Sequence, residues 1–339
     1  MREYELEILE KYEIEVRGTR RIRGAFFCDT NKGAMLLKET KISEKHALSM
    51  YLVERRLEAM GVSVDTPVAT GDGEFLCISR DGTKYMMKKW YSGRECDMKK
   101  EAELARAARG LAVLHGKMNL AAESGESQTL PALSVRRNPL EEIERHNREL
   151  KKVRSFIRGR VAKSKFEYLF LESFEKIYAM ACTVAEQLAE SGCLELYDES
   201  VRRGSLAHGD YNYHNLLIFP GGMGVTNFEH MRVDIQAHDL YYFLRKAMEK
   251  FRWKENIGKL ILEAYESERR LEETEKLYIG LFLAYPEKFW KCANTYYNSN
   301  KAWISSKSVE KLRLSIEQNE VKKAFLEQIF SFHLDKSGV

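Results

Sequence analysis

The sequence lacks paired cysteines: Cys28, Cys77, Cys96, Cys182, Cys193 and Cys292 are scattered through 339 residues, with no CxxC or other zinc pattern. That argues against a disulfide-stapled scaffold and a structural zinc site, and leaves reduced, mostly buried thiols. No run approaches the roughly 20 apolar residues of a membrane-spanning helix. The opening Met1-Arg2-Glu3-Tyr4-Glu5 has no apolar core for a signal peptide, so an intracellular chain without a membrane span is expected. Strong charge of one sign is also missing. The 55 Lys and Arg against 51 Asp and Glu leave a formal +4, which does not by itself imply nucleic acid. There is no internal repeat and no low-complexity tail. What is present is ordinary globular material, 44% hydrophobic and 11% aromatic, enough for a sizeable core in two lobes or one large domain.

The first part reads as strand-rich. Tyr12–Val16, Arg23–Cys28 and Ala34–Lys38 are short segments split by turns such as Thr30-Asn31-Lys32-Gly33. Ser43 reads as a helix cap, with Leu48, Tyr51, Leu52, Arg55 and Ala59 along the helix until Gly61 ends it. Strands at Glu74–Ile78 and Lys84–Lys88 flank the turn Ser79-Arg80-Asp81-Gly82, and Trp90–Glu95 would be a hinge. From a capping Asp97 onward the pattern turns helical. A polar loop spans 121–139, a charged helical region runs to Glu167, and a longer apolar-periodic helix covers Leu169–Glu190. Further helices are expected at Asp239–Phe251, Glu255–Ser267, Glu272–Ala284, Pro286–Tyr297, Val309–Gln318 and Glu320–Phe332.

Between these helical regions, His208-Gly209-Asp210-Tyr211-Asn212-Tyr213-His214-Asn215 runs straight into Leu216-Leu217-Ile218-Phe219. An Asp and an Asn at this spacing, on a loop that feeds a strand, suit phosphoryl transfer. Asp210 can accept a proton from an attacking hydroxyl, and Asn215 can hold magnesium on nucleotide phosphates. His208 packs and hydrogen-bonds to fix the loop. The segment resembles the catalytic loop of the aminoglycoside and choline phosphotransferases, relatives of the protein kinases. Such kinases continue with a short strand and an Asp-aromatic pair whose Asp carries the main magnesium contact. Here Gly224-Val225-Thr226-Asn227-Phe228-Glu229-His230 puts Asn227 at that position. An amide oxygen brings no charge to a hard cation that prefers carboxylates. Glu229, two residues on, would project to the same side in an extended chain and could supply the missing carboxylate. Impaired catalysis is favoured over a full rescue. Asp239 matches the buried Asp that braces the loop in such folds.

Each remaining element has a plain alternative. Lys38 would contact the nucleotide phosphates and pair with Glu54, or with Glu58 one turn on, yet alone it is equally a solvated strand-end lysine with Lys41 as a rival. The turn Gly18-Thr19-Arg20-Arg21-Ile22-Arg23-Gly24 is no GxGxxG. Its amides and three arginines can neutralise phosphates, and an exposed basic turn explains it as well. His208, Asp210 and His214 would suit zinc or manganese in a hydrolase, with His230 and His238 the nearest further ligands, but the helical carboxy-terminal half fits that poorly. The stretch 136–165 holds eleven Lys and Arg against four Glu and no Asp, with only Phe156 to stack a base. It reads as a solvated helix face, with an acidic protein partner second and nucleic acid disfavoured.

Nearly end to end, the chain resembles the CotS family of bacterial spore coat proteins. The resemblance rests on Gly33–Lys38, Gly93-Arg94-Glu95-Cys96-Asp97, Leu111-Ala112-Val113-Leu114-His115 and Gly204–Asn215, and above all on Tyr296-Tyr297-Asn298-Ser299-Asn300-Lys301-Ala302-Trp303-Ile304. It implies a two-lobed α+β protein-kinase-like fold, with a small antiparallel-sheet lobe at 1–89 and a larger, mainly helical lobe at 90–339. It also implies a protein made in the mother-cell cytoplasm and deposited in the spore coat beside other coat proteins. Two functions follow. One is a structural or morphogenetic coat protein with impaired or absent kinase activity. The other is a phosphotransferase using ATP and Mg2+ on a small hydroxylated compound or a coat component. In the second, Asp210 is the base, Lys38 steadies the phosphates, and Asn215 with Asn227 or Glu229 holds the metal.

Overall fold

The computed structural model describes residues 3–22, 24–119, 133–299 and 305–332. A short helix α1 (Glu3–Glu10) precedes three antiparallel strands, β1 (Val16–Ile22), β2 (Ala25–Thr30) and β3 (Gly33–Thr40). Helix α2 (Glu44–Ala59) follows, then β4 (Ser63–Val64), β5 (Pro67–Val68), β6 (Leu76–Ile78), β7 (Lys84–Lys89) and β8 (Arg94–Glu95). Next come helices α3 (Glu101–Lys117), α4 (Pro139–Arg158), α5 (Lys165–Glu190) and α6 (Cys193–Arg203). A group of short strands intervenes: β9 (Leu206–Ala207), β10 (Leu216–Phe219), β11 (Gly222–Val225) and β12 (Arg232–Val233). Helices α7 (Ala237–Lys250), α8 (Glu255–Glu266), α9 (Glu273–Ala284), α10 (Glu287–Asn298) and α11 (Ser306–Phe330) follow. The fold is the expected α+β class, an antiparallel sheet toward the amino terminus and helices toward the carboxy terminus. No helix among the described residues is long and apolar enough to cross a membrane.

The chain divides into two compact units, one from Met1–Val135 and Arg203–Asp239, the other from Arg136–Arg202 and Leu240–Val339. The first is organised by a sheet ordered β1-β2-β3-β7-β5, with β6 also on β7. Its apolar residues alternate as a one-sided sheet requires. Phe26, Cys28, Met35, Leu37, Tyr85 and Met87 form a core with Ile8, Leu9 and Tyr12. Each such side chain contributes about 1.5–3 kcal/mol by leaving water. Ser43 caps α2, its hydroxyl accepting from the His46 amide at 3.2 Å, and Gly61 at φ +80° ends the turn where a side chain would be strained. A second sheet, β4-β11-β10-β8, and the pair β12-β9 carry the candidate loop.

The second unit is helical. Asn138 caps α4 ahead of Pro139, and Ser164 with Glu167 forms a capping box on α5. Leu150, Val153, Phe166, Phe170, Phe174 and Phe289 build its core, with the Phe170 and Phe289 rings stacked at 5.0 Å. Much of the basic stretch is tied within this unit. Arg136 donates to the Tyr278 hydroxyl at 2.6 Å, and Arg145 and Arg160 meet Glu149 at 3.1 Å and Glu167 at 2.7 Å. All six cysteines are free, four of them buried.

Several expectations change. Tyr12–Val16 is not a strand; Glu13 to Glu15 are a bend and coil leading into β1. Asp97 does not cap α3; Lys100 holds that position while Asp97 accepts from the Lys99 amide at 3.0 Å. Helix α6 had no counterpart in the sequence reading. The two helices expected after Val309 are one, because Gln318-Asn319-Glu320 contains no Gly or Pro to break it. Residues 121–132 of the expected loop and 300–304 of the family signature lie outside the described residues.

Candidate functional site

The candidate loop leaves β9 and is held at its start by Asp239. That carboxylate, 2% exposed in the first turn of α7, accepts from the His208 amide at 2.6 Å and the Gly209 amide at 2.9 Å. His115 from α3 lies 3.4 Å from the same side chain. Burial alone would raise the Asp239 pKa, but His115, His208 and the Gly209 amide hold it below the ordinary carboxylate range. Gly209 has φ +79°, and a Cβ there would sit 2.0 Å from the His230 carbonyl oxygen, so no other residue fits.

His208 is wholly buried. Its Nδ1 accepts from the Asp210 amide at 3.2 Å, which puts the ring proton on Nε2, facing the Thr226 carbonyl at 3.0 Å. Burial lowers its pKa and keeps the ring neutral. The ring thus links the loop to the end of β11, a positioning role. The Asp210 carboxylate accepts from the side-chain amides of Asn212 and Asn215, both at 2.9 Å, and from that of Asn227 at 3.5 Å. Asn215 ends a one-turn 3-10 helix, and its carbonyl accepts from the Thr226 amide at 2.8 Å.

Asn227 is left-handed, φ 70° and ψ 54°, a conformation that Asn tolerates better than most residues. Its amide donates to both oxygens of Asp65 at 2.9 Å. The following Phe228–His230 forms a 3-10 turn, so the extended geometry expected for Glu229 does not occur. A cation joins the two side chains instead. Lys38 Nζ donates to Asn227 Oδ1 at 2.9 Å and to Glu229 Oε1 at 2.8 Å. Thr40 donates to Glu229 Oε2 at 3.0 Å. Burial would raise the Glu229 pKa, but Lys88 and Lys38 outweigh it and hold the carboxylate ionised.

Lys88 and Asp65 were missed from sequence. In the β3–β7 register Lys38 faces Met86 and Lys88 faces Leu36, so the two lysines are diagonal neighbours on one face. The buried Lys88 ammonium lies 3.3 Å from Asp65 and 3.7 Å from Glu229. A lysine directly after the apolar run Tyr85-Met86-Met87 was the available signal, since a lysine drawn into a core is almost always paired. Lys38 is not brought to Glu54. Glu54 is fully buried, neither of its oxygens has a hydrogen-bond partner, and burial with nearby Asp65 pushes its pKa well up. Glu58, the other candidate, pairs with Lys89 at 2.7 Å.

These groups border a cleft of about 360 Å³ whose lining includes Leu36, Lys38, Trp90, Tyr91, Asn215 and Asn227. The expected hinge therefore forms one wall. Gly93 is required there, since a Cβ would stand 2.8 Å from the Ile218 carbonyl oxygen. The expected basic turn is mostly strand. Gly18 to Ile22 pair with β2, which takes their backbone into the sheet and leaves Arg20 and Ile22 on the cleft. No group of three or more His, Cys, Asp or Glu able to hold a metal occurs among the described residues. The magnesium that the fold family implies also fits poorly in this arrangement. Two oxygens it would use, Asn227 Oδ1 and Glu229 Oε1, hold the Lys38 ammonium instead.

Residues 5–329 match the family model described as spore coat putative kinase YutH. Spore coat protein S of Bacillus subtilis (strain 168) is 21% identical over 307 residues, 89% of this chain and 85% of that protein. Among solved structures, an aminoglycoside phosphotransferase from Alicyclobacillus acidocaldarius subsp. acidocaldarius DSM 446 superposes with a TM-score of 0.80 at 18% identity, covering 94% of this chain and 93% of that one. Spectinomycin phosphotransferase APH(9)-Ia, solved with ADP and spectinomycin, gives 0.64 at 15% identity, covering 94% and 97%. At such identities the likeness shows the fold, which is that of the aminoglycoside phosphotransferases. The sequence resemblance to spore coat proteins of this kinase-like fold is thereby supported, and the chain belongs to the spore coat putative kinase YutH family.

Proposed function

We propose that this protein is a coat component, made in the mother cell and deposited in the spore coat, that keeps a phosphotransferase scaffold and its nucleotide cleft while phosphoryl transfer is impaired. Residues 1–89 serve as the small lobe, 90–339 as the larger one, and other coat proteins are its partners. The observation that carries this reading is the Lys38 ammonium bound to Asn227 Oδ1 and Glu229 Oε1. A phosphotransferase needs carboxylate charge on its metal at this point, and here an amide stands in the motif while the Glu229 carboxylate is held by lysines.

The test is transfer from Mg-ATP to water or to a panel of hydroxylated acceptors, by the native chain and by Asn227→Asp. The native chain is expected to show no turnover that depends on Asp210, and Asn227→Asp to gain magnesium-dependent nucleotide binding. Native turnover abolished by Asp210→Ala would overturn the reading. It would favour the second function, a phosphotransferase acting on a small hydroxylated compound or a coat component. The Asp210 carboxylate supports that second function, since two asparagine amides orient it as a general base would need.

A further inference from the structure

Resting on the nucleotide-cleft reading, we infer that the cleft binds its ligand without a divalent metal and prefers a nucleoside or nucleoside monophosphate to a triphosphate. Lys38 and Glu229 already fill the places that metal and phosphate would take.

Consider the metal first. Lys38 Nζ is 2.9 Å from Asn227 Oδ1 and 2.8 Å from Glu229 Oε1, so these two oxygens already ligate a cation of this chain. To admit the ion at these two oxygens, the Lys38 ammonium must leave them. The phosphate position comes next. Two ammonium groups and a hydroxyl surround the Glu229 carboxylate, from Lys38 at 2.8 Å, Lys88 at 3.7 Å and Thr40 at 3.0 Å. Such a donor set suits phosphate oxygens, and Glu229 fills it from within the chain. An incoming polyphosphate must displace that carboxylate or lie beside it as a like charge.

The rest of the cleft does not compensate. Its cationic lining residues are Arg20, Lys38 and Lys88, while Asp65, Glu95 and the neighbouring Glu229 and Asp210 are acidic. Glu95 is itself engaged by His214 at 2.9 Å. A triphosphate brings several negative charges to a surface with no positive excess, and no metal is available to offset them. The apolar part of the lining, Ile22, Leu36, Leu217 and Trp90, suits a flat, weakly charged group. A volume of about 360 Å³ lies at the small end of ligand pockets, roughly 300–1,000 Å³, which accommodates a nucleoside.

The experiment is calorimetry on the full native chain with adenosine, AMP, ADP and ATP, and with the guanosine series, in EDTA and in magnesium. The nucleoside or monophosphate of one series is expected to bind, with no gain in affinity as phosphates are added. Magnesium should change Kd by no more than about twofold. In Glu229→Gln the order should reverse, with triphosphate binding improved about tenfold, a change of 1.4 kcal/mol. Native binding of ATP or GTP at least about tenfold tighter than the nucleoside, and lost in EDTA, would overturn the inference. Binding by no member of either series would overturn it too. The native series decides the matter even if Glu229→Gln fails to fold. Failure of the functional reading is seen separately, as Asp210-dependent turnover of Mg-ATP.

Discussion

Asp239→Asn isolates the brace of the candidate loop without changing its shape. In the native protein two backbone amides, at 2.6 and 2.9 Å, and the His115 ring at 3.4 Å converge on one buried carboxylate. An asparagine presents a single oxygen. Whichever way its amide turns, an NH2 group faces either the His208 or the Gly209 N–H, donor against donor, in a site closed to water. A buried donor left unmatched costs about 1–3 kcal/mol, and a hydrogen bond to a charged group is worth about 1.5–3 kcal/mol. The neutral side chain recovers part of this by avoiding the desolvation of a charge. A net loss of about 3 kcal/mol is expected, close to what breaking a buried charged pair produces.

Urea unfolding at pH 7, followed by circular dichroism, should show a lower midpoint with an unchanged slope. The pH dependence gives a second reading. The folded pKa of Asp239 lies below its unfolded value, so its contribution is fully present above the unfolded value of about 3.9 and is lost as pH falls through the folded one. The difference between native and variant should therefore hold steady from pH 7 to about 5 and shrink in more acidic solution. A variant within about 0.5 kcal/mol of native at pH 7 would refute the brace, because that is the range of a surface substitution.

Three further changes test neighbouring claims. Asp210→Ala removes a half-exposed acceptor whose amide partners can turn to water, so a loss of about 1 kcal/mol or less is expected in the same denaturation assay, and a gross loss would make Asp210 structural. Gly209→Ala forces a Cβ to 2.0 Å from a carbonyl oxygen at φ +79° and should lower stability by more than about 3 kcal/mol in urea; a loss below about 1 kcal/mol would mean the loop moves freely. Lys322 is buried with its ammonium on the Ala284 carbonyl at 2.9 Å, and burial lowers its pKa from 10.5 to about 7 despite Glu249 and Glu287. Between those values the unfolded chain carries the extra proton, so native stability should gain from this group as pH rises from about 7, a gain Lys322→Met lacks. The variant should be more stable than native by about 2 kcal/mol at pH 6, and parallel native and variant pH profiles would sink the argument.

Much of the fold was legible because its signals are local. Ser43 before α2, Ser164 with Glu167 on α5 and the alternation in β2 and β3 each act within a few residues, and the chain follows them. Strand β1 was misplaced for an equally physical reason. Val16-Arg17-Gly18-Thr19-Arg20-Arg21-Ile22 is half-buried only at its two ends, so an edge strand exposed on both faces leaves no alternation to read. Its arginines resemble a turn until β2 pairs with them. In α11, Asn319 weakens the helical pattern by only a few tenths of a kcal/mol, and packing carries the helix through it.

The candidate site divides along the same line. His208, Asp210 and Asn215 could be found because the loop fixes their spacing within eight residues, and Asp239 because it opens the next helix. What the loop cannot encode is which cation meets which anion. That is set by the β3–β7 register, which stacks Lys88 diagonally from Lys38 and gives Glu229 two ammonium groups. Once Lys38 is committed to Glu229, Glu54 is left buried with no hydrogen-bond partner, and burial with nearby Asp65 pushes its pKa well up. A Lys38–Glu54 pair, the arrangement that spacing suggested, would have to draw Lys38 away from Asn227 and Glu229. The departure at Asn227 thus reaches further than one metal ligand. An aspartate there would compete with Glu229 for Lys38 and free a carboxylate for the metal, so Asn227→Asp should alter the partner of Lys38 as well as the affinity for magnesium.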